Sequence, residues 1–317
     1  MKGNFALYGV CLCLFLLLQA CDNRTITITQ AGDWTIKSEF EGIARTAAVG
    51  FVIGSAAYVG TGVDSQGQSL VDFWSYNPTT NAWTQKANFP AKARSEAIGF
   101  AVGMRGYIGL GVDWPEGKLL RDVYAYDPAA NKWTRIADFG GSARRSAVAF
   151  GLGVNGYVCT GFDSNERRDL WQYEPATDSW VRKADFGGSA RLGAATFVID
   201  NLAYLGTGST QTVNQSDLWA YDPAKDAWIG RSSLPKTTYL TPYGVSFSIG
   251  NTGYLMMGSS DLWAYNSGTD SWTSARPFEG AARTKAVGFS IGSKGYVTTG
   301  STSKIPYSDL WAFDPKL

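Results

Sequence analysis

Ala93-Arg94-Ser95-Glu96-Ala97-Ile98-Gly99-Phe100-Ala101-Val102-Gly103-Met104-Arg105-Gly106-Tyr107-Ile108-Gly109-Leu110-Gly111 decides the fold once it is read with Asp122-Val123-Tyr124-Ala125-Tyr126-Asp127-Pro128-Ala129-Ala130-Asn131-Lys132-Trp133, which follows after a loop. The first run predicts a short apolar strand over Ala97 to Val102, rich in small residues. A turn over Gly103 to Gly106 and a second strand over Tyr107 to Gly111 follow. Val123 to Tyr126 alternates as a third strand. Asp127-Pro128-Ala129-Ala130-Asn131 is a tight turn: Asp opens it, Pro presets φ, and Asn tolerates the left-handed region. Trp133 then falls on a fourth strand.

The same spacing recurs along the chain. Arg45, Arg94, Arg144, Arg191 and Arg283 each stand eleven residues after a Trp (Trp34, Trp83, Trp133, Trp180, Trp272) and six before a Phe (Phe51, Phe100, Phe150, Phe197, Phe289). Asp72, Asp122, Asp169, Asp217, Asp261 and Asp309 each open a third strand, at spacings of 50, 47, 48, 44 and 48 residues. A period near 50 built from short strands points to propeller blades, not to a helical solenoid. Six copies of four antiparallel strands predict an all-β, six-bladed propeller over residues 33–317. The chain stops after its sixth third strand, so the segment around Trp34 is expected to complete the last blade and close the ring.

Arg before the first strand, Gly ending the second, Tyr-Asp-Pro after the third and Trp on the fourth together resemble the kelch repeat. The resemblance runs from Trp34 to Pro315. It departs from the usual pattern at the end of the second strand, where Thr61-Gly62, Leu110-Gly111, Thr160-Gly161, Thr207-Gly208, Met257-Gly258 and Thr299-Gly300 replace paired glycines. The fold it implies is the propeller already read from the period.

Composition excludes much chemistry. The 317 residues contain no histidine. Catalysis by His general bases, Ser-His-Asp or Cys-His systems is therefore absent, as are imidazole metal ligands. Galactose oxidase shares the kelch architecture, but its copper needs histidines, so copper oxidase chemistry of that type is excluded. No metal and no cofactor is expected.

The N-terminus reads as an export signal over residues 1–20: Lys2, an apolar run from Phe5 to Leu18, then Leu18-Gln19-Ala20-Cys21. That tetrapeptide resembles the bacterial lipobox, which implies a lipidated Cys21, a tether over residues 21–32, and a place in the bacterial cell envelope, on the outer membrane or the cell surface, with a periplasm-facing position as the alternative. Removing the signal leaves 27 basic and 27 acidic residues, since it contains Lys2 and no acid. A neutral chain argues against nucleic acid as a partner, and the membrane would be met through the lipid alone. Only Cys159 remains besides Cys21, so no internal disulfide forms.

Function must lie where the copies differ. Two residues after the Arg stand Ala47, Glu96, Ser146, Gly193, Tyr243 and Lys285, a varied set at one geometric position near the channel mouth. Trp114 is off the Trp lattice, in a loop between Asp113 and Glu116, where it would stack on a sugar ring, grip a protein or fold back over its blade. The fifth repeat carries Thr241 in place of Arg and a short loop from Gly258 to Asp261. The Arg and Asp sets lie on one face and either pair with each other or, in the Arg case, clamp acidic ligands.

Two functions follow. One is a lipid-anchored module that binds glycan or protein through this face, with Arg45, Arg94, Arg144, Arg191, Arg283, Asp113, Trp114, Tyr243 and Lys285 as contacts. The other is a cofactor-free sugar mutarotase or epimerase, similar to the N-acetylneuraminate epimerases. In that case Glu96, Glu116 or Glu166 would move the proton between ring oxygen and anomeric hydroxyl.

Overall fold

The computed structural model describes residues 30–114, 116–235, 240–303 and 305–316. The signal, Cys21 and most of the tether lie outside the described residues.

Six four-stranded antiparallel sheets make six blades. Blade two shows the pattern: Ile98–Val102, Arg105–Gly109, Val123–Asp127 and Lys132–Arg135. Its first turn is tighter than expected. Only Gly103 and Met104 lie between the strands, and Val102 pairs with Arg105. A two-residue hairpin turn needs a left-handed first residue, and Gly103 supplies it at φ +57°. The loop after Gly111 also holds a small hairpin, Val112–Asp113 with Lys118–Leu119.

The innermost strands are Val49–Ile53, Ile98–Val102, Val148–Leu152, Ala195–Ile199, Val245–Ile249 and Val287–Ile291. They crowd the axis, which is why small residues recur there. A Cβ on Gly151 would collide with the Ala101 carbonyl oxygen of the neighbouring blade. The sixth sheet takes its outer strand from the start of the propeller: Asp33–Ile36 pairs with Leu310–Asp314, Trp34 opposite Phe313.

Aromatic rings fill the space between blades. The fourth-strand Trp of each blade donates its indole N–H to a carbonyl in the segment leading out of the preceding blade, Trp133 to Ala87 and Trp34 to Arg276, for example. Except before blade five, where Leu234 stands, that segment also carries a Phe packed against the indole, edge-to-face in Phe89–Trp133 and Phe139–Trp180, with centroids 5.3 and 5.1 Å apart. The carbonyl satisfies the indole donor, and each ring pair adds about 0.5–1.5 kcal/mol beyond area burial.

Candidate functional site

The six residues two positions after the Arg lattice meet around the axis. Ala47, Glu96, Ser146, Gly193, Tyr243 and Lys285 all have left-handed backbones, with φ between 52° and 64°. Their main chains form a closed circle of six hydrogen bonds. Glu96 N–H donates to Ala47 C=O, Ser146 to Glu96, Gly193 to Ser146, Tyr243 to Gly193, Lys285 to Tyr243, and Ala47 to Lys285, at 2.7–3.1 Å. Left-handed residues of this kind cost energy, and cyclic pairing holds them in place. The circle and the residue after each member line one pocket of about 180 Å³. Below it lies an axial channel of about 210 Å³ bounded by the innermost strands.

Glu96 is the acid in this pocket. Its side chain is 8% exposed, and it accepts from Lys285 Nζ at 2.6 Å, Arg145 Nη1 at 2.5 Å and the Ser146 hydroxyl. Burial alone would raise its pKa; Lys285, Ser146 and Arg145 outweigh that and hold the carboxyl below its usual range. Because Ser146 gives its proton to Glu96, the 3.2 Å contact between Ser146 Oγ and the Tyr243 hydroxyl has Tyr243 as donor. Lys285 Nζ also sits 4.4 Å from the centre of the Tyr243 ring. The cluster is therefore one anion, two cations and two hydroxyls around a small axial space, able to hold polar groups and to exchange a proton.

Arg145 is the member that the sequence reading missed. In the other copies its position holds Thr46, Ser95, Leu192, Pro242 or Thr284, so an Arg there breaks the lattice, and that departure was the available signal.

The lattice arginines stand behind the pocket wall, not in it. Arg45, Arg94, Arg144, Arg191 and Arg283 are at most 1% exposed. Each makes a two-pronged pair with an Asp: Asp72, Asp122, Asp169, Asp217 and Asp309. Nη1 also donates to the carbonyl sixteen residues on, and Nε to the carbonyl two residues back. Each guanidinium lies 4.7–5.1 Å from the ring centre of Phe40, Phe89, Phe139, Phe186 or Phe278. At least four of the five N–H donors of each are thus committed to the fold.

The remaining candidates are dispersed. Trp114 is 43% exposed at the tip of the small hairpin and does not line the pocket. Asp113 and Glu116 both pair with Lys92, at 2.8 and 3.0 Å, and brace that hairpin. Glu166 lies in a separate groove of blade three with Arg167, Arg168 and Asp185. Cys159 is fully buried, and burial pushes its thiol pKa up. Among the described residues no group of three or more Cys, Asp or Glu is placed to hold a metal ion.

Comparison with known proteins agrees with the architecture. The Kelch motif family matches residues 104–140, from the first turn of blade two into the segment that follows its last strand. A solved structure of YjhT superposes with a TM-score of 0.74 at 15% identity, covering 86% of this chain and 95% of that one. No curated protein sequence matches the chain. The superposition and the six four-stranded sheets make this chain a six-bladed β-propeller, with a Kelch motif matched in its second repeat.

Proposed function

We propose that this propeller is a binding module whose ligand site is the axial pocket, and that its ligand is a glycan. One observation carries the reading. Chemistry that varies from blade to blade is gathered at the six axial positions, while the clamps and strands around them repeat. Donors and acceptors crowded into a small space match a hydroxyl-rich ligand, and the exposed Trp114 indole offers a stacking surface for a longer chain. The proposal includes display at the bacterial envelope through lipid on Cys21. Labelled fatty acid should enter the full-length chain expressed in bacteria, and Cys21→Ser should abolish the label; label retained by that variant removes the anchor.

A second reading, sugar mutarotation, is favoured by Glu96. It is a carboxylate lining the pocket, and a carboxyl group within reach of two sugar oxygens can carry a proton between them.

Both readings meet one experiment. Soluble protein from residue 24 onward is mixed with N-acetylneuraminate and with neutral sugars, and followed by exchange NMR. Ligand line broadening that disappears in Lys285→Met and Glu96→Gln is the expected result. Faster anomer exchange lost in Glu96→Gln would establish the enzyme. Broadening that survives both substitutions and vanishes in Trp114→Ala would move the site to the hairpin.

A further inference from the structure

The order of large and small side chains around the axis has a mechanical consequence. Lys285 of blade six reaches Glu96 of blade two, passing over blade one, where Ala47 offers only a methyl. Tyr243 of blade five reaches Ser146 of blade three, passing over blade four, where Gly193 has no side chain. A Cβ on Gly193 would stand 2.9 Å from the Tyr243 ring, so the ring rests directly on that glycine. The Lys285 contact with Tyr243 and the Ser146 bond to Glu96 complete a second ring, made of side chains, across the mouth of the channel.

We propose that this side-chain ring is a two-armed latch, closing the axial pocket at rest and opening when the Lys285 and Tyr243 arms swing aside for a ligand. The inference rests on the axial pocket being the ligand site. The arms are the members suited to move. Lys285 is 28% exposed on a flexible stem, so its ammonium is readily rehydrated. When it leaves, Glu96 keeps Arg145 and Ser146, and no buried charge is stranded. Tyr243 needs only to rotate off Gly193. The small residues at 47 and 193 are therefore required: they are the floors over which the arms lie.

The test uses no ligand, so it fails or succeeds independently of the binding experiment. Ala48 lines both the pocket and the channel beneath it. Ala48→Cys is introduced into the chain from residue 22 onward, where the other thiol, Cys159, is fully buried. Its reaction with the small neutral reagent methyl methanethiosulfonate is timed in this background, and again with Lys285→Met, Lys285→Gln or Gly193→Ala added. Unfolding midpoints identify which variants are folded. Removing an arm, or displacing it with a Cβ, is expected to speed modification at least tenfold. Equal rates in any folded arm variant would overturn the latch, as would modification that is already as fast as in a denatured control.

Discussion

Glu96 couples the site to pH. It sits where burial disfavours its charge, yet its three donors leave its pKa below the ordinary value of 4.5. A depressed carboxylate contributes stability that is fully present above its unfolded value and is lost as pH falls through the folded one. Glu96→Gln should therefore lower stability near neutral pH and flatten the acid limb of the stability profile below about 4.5. The clamp carboxylates Asp72, Asp169 and Asp309 are also held down, their Arg partners overcoming the effect of burial, but they titrate alike in both proteins. Urea unfolding of the two proteins from pH 3 to 7 isolates Glu96; parallel profiles would show that it carries no folding-linked proton. Asp217→Ala leaves Arg191 fully buried without its anion, and loss of one partner from such a pair costs about 3 kcal/mol. Urea unfolding would show this as a lower midpoint, with binding by the folded protein unchanged because neither residue lines the pocket.

At the scale of the element, blade five shows what a clamp does by lacking one. Thr241 keeps a single contact of the missing Arg, its hydroxyl donating to the Met257 carbonyl, sixteen residues on as in the other copies. Asp261 accepts from Ser259. The Trp263 indole N–H has no partner among the described residues, although its counterparts Trp74, Trp171, Trp219 and Trp311 donate to clamp aspartates. Leu234 takes the place of the Phe that elsewhere faces the guanidinium; like Phe89 or Phe186 it donates its backbone N–H to the residue preceding the Asp. Hydrogen exchange should therefore run at least tenfold faster in Leu262–Asn266 than in Leu218–Asp222 of blade four, since local opening there breaks no clamp. Equal protection measured by mass spectrometry would mean that the clamps do not set blade stability. Blade number, strand order and this irregular copy were legible in the sequence, because Trp, Arg and Asp are needed by every blade and recur at fixed spacing. The converging positions were legible too, as the varied residues two after each Arg. The partnerships inside the pocket were not. Glu96 meets Arg145 and Lys285 across 49 and 189 residues, and only the curvature of the closed ring brings them together. The small hairpin below Trp114 was hidden because two-residue strands carry no periodicity.

For the whole molecule, the circle at the axis and the pairing at the rim both depend on joining the ends of the propeller. The axial circle closes where Ala47 N–H meets the Lys285 carbonyl, between blades one and six. At the rim, Asp33–Ile36 covers Leu310–Asp314, and Trp34, 4% exposed, packs against Phe278 and Phe313. A ring joined at one seam opens at that seam first, so the short N-terminal strand carries more stability than its length implies. Trp34→Ala removes a large buried ring and should cost about 3–5 kcal/mol. A chain beginning at residue 38 goes further: it leaves Leu310–Asp314 as an open edge of unpaired N–H and C=O groups, a template for another copy. Such a chain should unfold at lower urea than Trp34→Ala and form dimers or aggregates on gel filtration at concentrations where the intact propeller is monodisperse. Adding the peptide of residues 30–37 in excess should restore part of the midpoint by refilling the edge. If the shortened chain matched the intact one in midpoint and size, blade six would be stable with three strands, and the pairing of the termini would contribute nothing to holding the axial site together.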